Sequence, residues 1–371
     1  MDNVHATLTV LQEALLSKMG DEVELIFQYG SHIHGTPHKF SDVDISWVPV
    51  HETTWESITV MVDGILYDFY PMHWSHLERM AEFRDVSSSV LLNHRILYQR
   101  TNAAGERLAM LATRLRALQH PEARSEMLCR AMELFQGTGY DIYLLRLQAK
   151  AGQQAGCIRQ AHLIFRAVLH CLAVCNQACI DTRKLEQVLA LPKLPEGFAE
   201  TAQRIALAFA PKDVLVATET LLQTTRDFLL NEQRRYLRSD TSYPAVFDSG
   251  YPELKRDLQG VMLACERQDL LTLKGHLLSL LHEMACAIAQ VTTGVRYSEF
   301  NSLAEYEQDL VALGFPALLP LMVAGNFAAL QQQCQIFDQR LQSFLIEHSV
   351  QLNTFATPTE LQTALEAPVK E

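Results

Sequence analysis

The sequence lacks an apolar run long enough to cross a membrane. A transmembrane helix needs about 18–20 consecutive, mostly apolar residues, and charged or polar residues interrupt every apolar stretch of the 371-residue chain sooner. The N-terminal segment MDNVHATLTVLQEALLSK also lacks the basic start and apolar block of a secretory signal. These absences predict a cytoplasmic protein with no membrane partner.

The sequence also lacks a disulfide framework and a basic face. Its eight cysteines are scattered without the spacing of a small disulfide-bonded domain, which predicts reduced thiols. The formal net charge of −12 argues against a nucleic-acid partner, which would need clustered Lys and Arg, and favours cationic small molecules. With 48% hydrophobic and 20% charged residues, the composition is that of an ordinary globular protein with a sizeable core.

Strand signals are confined to the first hundred residues. Apolar positions at helical spacing predict a helix over residues 4–19. The short apolar runs VELIFQYG (23–30), DISWVPV (44–50) and GILYDFYPM (64–72) predict three strands. Pro49 predicts that the second strand ends there or reaches an edge. Residues 1–102 are therefore predicted as one domain in which helices accompany a sheet.

Helical periodicity replaces strand signals beyond residue 102. The polar connector SDTSYPAVFDSGYP, residues 239–252, separates two helical blocks. We therefore predict a helical bundle over 103–240, a second bundle over 241–350 and a frayed or extended tail over 351–371. The predicted helices are 104–118, 122–136, 140–150, 155–180, 183–190, 199–209, 212–230, 252–267, 269–292, 302–313, 316–324 and 326–346.

One short segment, QYGSHIHGTPHKFSDVDISWV, concentrates residues that suit phosphate and metal chemistry. Asp42 and Asp44 point to the same side of a strand, because strand side chains alternate between faces. Two carboxylates this close repel each other unless a cation neutralises them, and hard oxygen ligands suit Mg²⁺ with substrate phosphates. A glycine at Gly30 lets backbone amides approach a phosphate to which the Ser31 hydroxyl can donate. Ser41 is placed to satisfy local backbone groups ahead of the strand.

This segment resembles the signature of the DNA polymerase β-like nucleotidyltransferase superfamily. Gly30-Ser31 and Ser41-Asp42-Val43-Asp44, with ten residues between Ser31 and Asp42, match its Gly-Ser…Asp-x-Asp pattern. The arrangement is most similar to small-molecule (aminoglycoside- and lincosamide-type) and minimal nucleotidyltransferases. The resemblance implies an α+β protein, with an N-terminal nucleotidyltransferase domain containing a mixed sheet and an all-α bundle behind it.

The resemblance also implies a third carboxylate on a later strand. Asp63 and Asp68 are the candidates. Asp68 is favoured, because a charged residue between Tyr67 and Phe69 in mid-strand needs a reason, whereas Asp63 before Gly64 is typical of a turn. Asp42, Asp44 and Asp68 are then the predicted catalytic residues and ligands of a two-metal Mg²⁺ site. Gly30, Ser31 and Ser41 would contact the nucleotide.

The implied activity is transfer of a nucleoside monophosphate from an NTP, with ATP as the default, to a hydroxyl of a small-molecule acceptor. Two alternatives stay open. One is a protein AMP-transferase or antitoxin-type regulator that acts on a partner protein. The other is an inactive nucleotide-binding protein of the same fold. A homodimer is also left open. His32, His34 and His38 lie in the loop, where they would either contact phosphates when protonated or be solvated loop histidines, and the second alternative is favoured.

The same resemblance implies that the helical bundle holds the acceptor. Asn176 and Lys184 are expected to face the cleft, with Lys184 contacting the nucleotide. A carboxylate that activates the acceptor could come from Glu126, Glu133 or Asp141, although each is more typical of a solvated helix charge.

One helix carries cysteines in a row. Cys171, Cys175 and Cys179 recur every four residues, and His170 is adjacent. Ligands in line along two turns cannot easily surround one ion, so buried packing is predicted. Arg166 and His170 resemble the Arg…His signature of HEPN ribonuclease-like bundles, but at a shorter spacing that argues against that activity.

Overall fold

A computed structural model of the chain describes residues 2–51, 57–247, 250–295 and 303–366. The chain divides into two compact units, Met1–Leu230 and Asn231–Glu371. The predicted α+β class is confirmed, because a mixed five-stranded sheet is followed by a region whose described residues are helical and contain no further strand.

The sheet belongs to the first unit. Its strands are β1 (Val23–Tyr29), β2 (Val43–Pro49), β3 (Ile58–Val62), β4 (Ile65–Pro71) and β5 (Arg95–Gln99). Their order is β3-β4-β2-β1-β5. Strands β2 and β4 run parallel, and the other neighbours are antiparallel. The central strand β2 ends at Pro49, as predicted, because proline cannot donate to the ladder.

The sequence analysis missed both edge strands, β3 and β5. Each has five residues, and neither has a fully buried one. An edge strand pairs on one side only and buries little surface, so its residues show a weak hydrophobic pattern. The two strands are recognisable because they pair with β4 and β1.

One face of the sheet is packed with apolar side chains. Helix α1 (Asp2–Met19) contributes Leu8 and Leu15 to a cluster with Val43, Ile45 and Trp47 of β2. Because successive strand residues point to opposite faces, burial of these odd-numbered residues directs Asp44 away from this cluster. Packing of α1 on one face thus fixes which face bears the carboxylates.

Beyond residue 102 the helices of the first unit follow the predicted pattern closely, whereas the helices Ser31–His34 and Trp74–Ala81 were not predicted. The long helix α7 (Gln154–Cys175) has the length and apolar composition of a membrane span, but 61% of its most apolar stretch is buried. It packs in the bundle core through Ile164, Val168 and Leu172. The helices besides α1 are α2 (Ser31–His34), α3 (Trp74–Ala81), α4 (Asn102–Leu118), α5 (Arg124–Gln136), α6 (Gly139–Lys150), α7, α8 (Leu185–Leu189), α9 (Phe198–Leu207) and α10 (Pro211–Tyr236).

The second unit has its own core. Leu277, Leu280 and Phe337 are completely buried in one apolar cluster of its helices. These helices are α11 (Tyr243–Val246), α12 (Gly250–Arg267), α13 (Leu270–Thr293), α14 (Leu303–Ala312), α15 (Leu319–Val323), α16 (Phe327–Glu347) and α17 (Pro358–Glu366).

The division between the units differs from the sequence boundaries. It falls after Leu230, inside α10, instead of in the predicted connector at 239–252. A helix that continues from one unit into the next carries no turn or breaker residue to mark the division. The sheet and the first bundle, predicted as 1–102 and 103–240, lie together in the first unit. The tail, predicted as frayed or extended, contains α17, a helix with no buried residue.

Candidate functional site

A row of polar side chains crosses four strands on the face opposite the α1 cluster. Tyr29 of β1 pairs with Asp44 of β2. Asp44 pairs in turn with Asp68 of the parallel strand β4, and Asp68 pairs with Thr59 of β3. Paired residues on neighbouring strands point to the same side of a sheet. The register therefore brings together two carboxylates that are 24 positions apart in the chain.

Gly30 makes room for the central carboxylate of this row. It has φ 84° and ψ −162°, a conformation that is essentially confined to glycine. A Cβ at this position would lie 2.1 Å from Asp44 Oδ2. The Gly-Ser turn and the Asp-x-Asp strand are thus in direct contact, and the absence of a side chain at Gly30 permits that contact.

Asp42 and Ser41 lie immediately before β2. Asp42 is exposed, and its charge acts on Asp44. Ser41 is buried, and its hydroxyl accepts a hydrogen bond of 2.9 Å from the His38 amide. The Ser41 amide donates at 2.9 Å to the His38 carbonyl. Ser41 closes the loop that delivers Asp42, as its predicted local role requires.

Two polar atoms of the Gly-Ser turn are buried without a partner. Ser31 Oγ and His32 Nε2 make no hydrogen bond to any described residue. The favoured prediction of a solvated His32 is wrong for this atom, because Nε2 is buried. The turn itself is closed by a 3.1 Å hydrogen bond from the Ile33 amide to the Gly30 carbonyl. His38 Nδ1 accepts from the Phe40 amide at 3.1 Å. The side chain of His34 lies outside the described residues.

The charges of the row perturb one another. Burial, followed by the negative charge of Asp42, raises the pKa of Asp44 to about 6, and Asp68 adds to the effect. Burial and these same carboxylates raise the pKa of Tyr29 to about 12, against a lowering by its hydrogen bond with Ser46. Like charges raise one another's pKa when nothing neutralises them. A cation bound at this row would therefore be electrostatically favoured.

The donor chemistry of the row fits Mg²⁺. Asp42, Asp44 and Asp68 are hard oxygen donors, and they are the residues that would hold the ion. In the described part of the chain, no three His, Cys, Asp or Glu side chains are gathered closely enough to form a metal cluster. Asp68 Oδ1 instead accepts a hydrogen bond of 3.1 Å from Thr59 Oγ1.

Asp63, the other candidate for the third carboxylate, lies elsewhere. It has φ 50° in the turn that joins β3 to β4, as predicted for an aspartate before glycine. Of the two candidates, the strand register brings Asp68 beside Asp44.

Arg183 of the helical bundle interacts electrostatically with the carboxylates, whereas the sequence analysis selected its neighbour Lys184. Arg183 acts electrostatically on both Asp44 and Asp42. The predicted Lys184 is exposed at the start of α8, and its charge helps to lower the pKa of Asp181, after the larger effects of the Arg183 hydrogen bonds.

Asn176 has a structural role in the bundle. Its amide nitrogen donates to the carbonyls of Leu172 and Lys193, both at 2.8 Å. Its side-chain oxygen accepts at 3.1 Å from the Lys193 amide. These bonds use the whole amide group to join the end of α7 to the segment before α9, so Asn176 has little capacity left for a ligand.

The candidate carboxylates of the bundle all have neighbours as partners. The partners are Arg130 for Glu126, Arg84 for Glu133 and Gln160 for Asp141. Cys171 and Cys175 are fully buried, as predicted, and Cys171 Sγ donates to the Ala131 carbonyl at 3.1 Å. Burial raises the pKa of Cys179 to about 12. These thiols therefore serve packing.

Tyr29 and Thr59 are members of the row that the sequence analysis missed. The signal for Tyr29 was its position directly before Gly30, at the end of the strand that enters the turn. Thr59 had no such signal, because β3 itself was not predicted.

Comparisons with known proteins give little further information. No protein-family model matches the chain, and no curated protein matches it. A solved structure of a nucleotidyltransferase-like protein from Exiguobacterium sibiricum 255-15 is similar at 15% sequence identity. The likeness covers 70% of this chain and 90% of that chain, with a TM-score of 0.26. At that score it carries no argument about function, which rests on the residues of the site.

Proposed function

We propose that the protein is a Mg²⁺-dependent nucleotidyltransferase that moves a nucleoside monophosphate from an NTP to a hydroxyl group of a small molecule. The observation that carries this proposal is the pairing of Asp44 with Asp68 on parallel neighbouring strands, with Asp42 two residues earlier. The contact between Gly30 and Asp44 supports it, because it joins a turn suited to phosphate to the carboxylates.

The chemistry is an in-line displacement at phosphorus. The acceptor oxygen attacks the α-phosphorus, the bond to the bridging α–β oxygen breaks, and pyrophosphate leaves. Asp68 accepts the proton of the attacking hydroxyl, acting as a general base. Ser31 Oγ, which is buried without a partner among the described residues, donates to a phosphate oxygen. Bound Mg²⁺ would supply neutralisation of the charge on the transferring and leaving oxygens.

The acceptor class follows from charge. With a net charge of −12 and a row of carboxylates at the site, the protein attracts cationic hydroxylated molecules and repels nucleic-acid primers. The first helical bundle lies in the same compact unit as the sheet and would supply the acceptor-binding surface. ATP is the default donor.

Calorimetric titration with ATP, with and without Mg²⁺, tests the proposal. We expect binding that depends on Mg²⁺ and that weakens about tenfold or more in Asp44→Asn, the cost of about 1.4 kcal/mol or more when a charged ligand is lost. Asp63→Asn is the matched control. It removes a carboxylate from the neighbouring turn at a positive φ that asparagine tolerates, and should bind ATP as the wild type does.

Transfer is then measured with α-labelled ATP and a panel of hydroxylated amines. Label on an acceptor that disappears in Asp44→Asn supports the enzyme. Label on a co-purifying protein would favour the protein AMP-transferase, and binding without transfer would favour an inactive nucleotide-binding protein. Failure of all four common NTPs to bind the wild type contradicts the proposal.

A further inference from the structure

The open face of the β3–β4 hairpin is apolar, although a sheet face turned to solvent usually carries polar side chains. Tyr67 and Phe69 of β4 are buried in the cluster with α1. Leu66 and Tyr70 point the other way and are 36% and 44% exposed. Met61 of β3, which pairs with Leu66, is 69% exposed. Exposed apolar side chains that are grouped beside polar ones mark binding surfaces.

These three side chains, Met61, Leu66 and Tyr70, form an apolar strip that flanks Asp68. Leu66 and Tyr70 lie two residues before and after Asp68 on the same strand face, each about 7 Å from it at the rise of a strand. Met61 lies two residues after Thr59, which pairs with Asp68. The backbone register therefore places the strip at the carboxylate row.

The surroundings of Asp68 leave one direction open for an acceptor. Thr59 Oγ1 donates to Asp68 Oδ1 at 3.1 Å, so Oδ2 can accept the proton of a hydroxyl group. The same face is closed towards β1, where Phe27 pairs with Ser46, is completely buried and lies edge-on to His94, with ring centroids 6.0 Å apart. An acceptor whose hydroxyl lies at Asp68 would therefore extend over β3 and β4, across the strip.

The chemistry of the strip favours one class of acceptor. Contact with Met61 and Leu66 favours an apolar segment, because it removes apolar surface from water. It disfavours a row of hydroxyl groups, which would lose hydration without gaining hydrogen bonds. The Tyr70 ring attracts an ammonium group over its face, and the nearby carboxylates of Asp42 and Asp44 attract the same charge. The surface is complementary to a molecule that is both apolar and cationic.

We propose that the apolar strip binds the acceptor, and that the acceptor is an amphipathic amino alcohol, with an apolar segment on one side of its hydroxyl and an ammonium group on the other. The apolar segment lies on Met61 and Leu66, the hydroxyl lies at Asp68, and the ammonium group lies over Tyr70. The role of the strip rests on the proposed function. It narrows the acceptor class and adds a surface of the sheet to that of the bundle.

Ile58 provides a matched control on the same edge strand. It is 41% exposed, but it pairs with Phe69 and so lies on the opposite face from Met61. Ile58→Ala and Met61→Ala remove similar apolar surface from β3. If any exposed apolar surface of the hairpin bound an amino alcohol, the two substitutions would have the same effect.

The test is calorimetric titration of the full chain, with Mg²⁺ and a non-hydrolysable ATP analogue present and again without them. The probes are aminopropanol and aminohexanol, each with its amine on the first carbon and its hydroxyl on the second. Aminohexanol has three more methylenes, each worth up to about fourfold in affinity when buried, so we expect its binding to be tighter by about tenfold or more. Met61→Ala and Leu66→Ala should remove much of this difference, and Ile58→Ala should leave it unchanged.

Hexanol with its hydroxyl on the second carbon and no amine tests the role of the ammonium group. Tyr70→Leu keeps an apolar side chain without the ring, so it should weaken binding of both amines about fivefold and leave binding of hexanol unchanged. Tyr70→Phe keeps the ring face and should stay within about twofold of the wild type for every probe. Melting temperatures confirm that each variant is folded.

Four results would overturn the role of the strip. One is equal affinity for the two amines, or no detectable binding of aminohexanol. Another is equal weakening by Ile58→Ala and Met61→Ala, which would mean unspecific apolar contact. Loss of ATP affinity in Tyr70→Leu, with binding of inorganic triphosphate retained, would place the nucleobase on the strip instead. A smaller oligomer of Met61→Ala in sedimentation would show that the strip is an interface between copies of the chain.

The strip and the proposed enzyme can fail separately. Selective binding of aminohexanol without Mg²⁺-dependent binding of ATP would retain the strip as a binding surface for amino alcohols and refute the enzyme. Mg²⁺-dependent binding of ATP without selectivity for aminohexanol would retain the enzyme and overturn the strip.

Discussion

Gly30 shows how much of the site depends on one missing methyl group. Its backbone lies in a region that side chains make costly, by about 1–3 kcal/mol. The space above its Cα is taken by Asp44 Oδ2. Gly35, at the C-terminal end of α2, also has a positive φ, of 69°, but nothing lies within 4 Å of its hypothetical Cβ. Substitutions at the two glycines therefore distinguish the cost of backbone strain from the effect of a collision with the Asp44 carboxylate.

Gly30→Ala should lower stability and also displace Asp44, so Mg²⁺-dependent ATP binding should fall at least about tenfold. Gly35→Ala should cost about 1 kcal/mol of unfolding free energy through its left-handed backbone alone and leave ATP binding unchanged. Urea unfolding and calorimetry measure the two effects. Equal loss of ATP affinity in the two variants would contradict the role given to the Gly30–Asp44 contact.

At the scale of secondary-structure elements, the carboxylate of Asp85 holds the segment that follows α3. Asp85 Oδ2 contacts His76 Nε2 at 3.0 Å, and Oδ1 accepts from the Ser87 amide at 2.8 Å. Ser88 Oγ donates to the Asp85 carbonyl at 2.7 Å. These bonds join α3 to the 3₁₀ turn Ser88–Leu91. The hydrogen bond with His76 is the main cause that lowers the pKa of Asp85 to about 2.

The lowered pKa predicts a pH-dependent contribution to stability. A carboxyl group whose pKa is depressed by folding stabilises the protein above its ordinary pKa of 3.8, and this contribution is lost as the pH falls towards 2. Asp85→Asn should therefore lower the free energy of unfolding by about 1–2 kcal/mol at pH 7, and by progressively less between pH 4 and pH 2.

The control for Asp85 is a second histidine–carboxylate pair. His120 and Glu122 lie 3.9 Å apart and are largely exposed, so Glu122→Gln should not change stability measurably. Denaturant titrations of both variants across this pH range make the comparison. A loss in Asp85→Asn that is constant from pH 7 to pH 2 would exclude the electrostatic explanation.

At the scale of the whole molecule, the chain has two compact units, and each has its own hydrophobic core. Leu172 is fully buried in the bundle of the first unit, and Phe337 is fully buried in the second. The catalytic candidates all belong to the first unit. Multi-domain proteins commonly unfold in more than one transition, because each core is a separate cooperative unit.

Phe337→Ala should destabilise the second unit by about 3–5 kcal/mol, and Leu172→Ala the first by about 2–5 kcal/mol. We expect calorimetric scans to show that each substitution lowers the temperature of a different unfolding transition. Mg²⁺–ATP should raise the temperature of the transition that Leu172→Ala lowers. A single transition that both substitutions lower equally would show that the units unfold together.

The sequence by itself determined the elements whose signal is local. Helical periodicity located α4, α7, α13 and α16 to within a few residues, except that α7 ends at Cys175 instead of continuing to 180. Alternating side chains predicted that Asp44 lies on the face opposite Val43 and Ile45, and the proline located the end of β2. The period of a helix or strand is a property of neighbouring residues, so it can be read without the fold.

Tertiary structure decided the features that depend on distant pairing. The register of β2 against β4 brought Asp68 beside Asp44, and the packing of α1 on the opposite face decided which face bears these carboxylates. Pairing also revealed the edge strands β3 and β5. The electrostatic interaction of Arg183 with Asp44 and the division inside α10 also appeared only in the folded chain. Such features arise from contacts between segments far apart in the chain, and no local pattern encodes them.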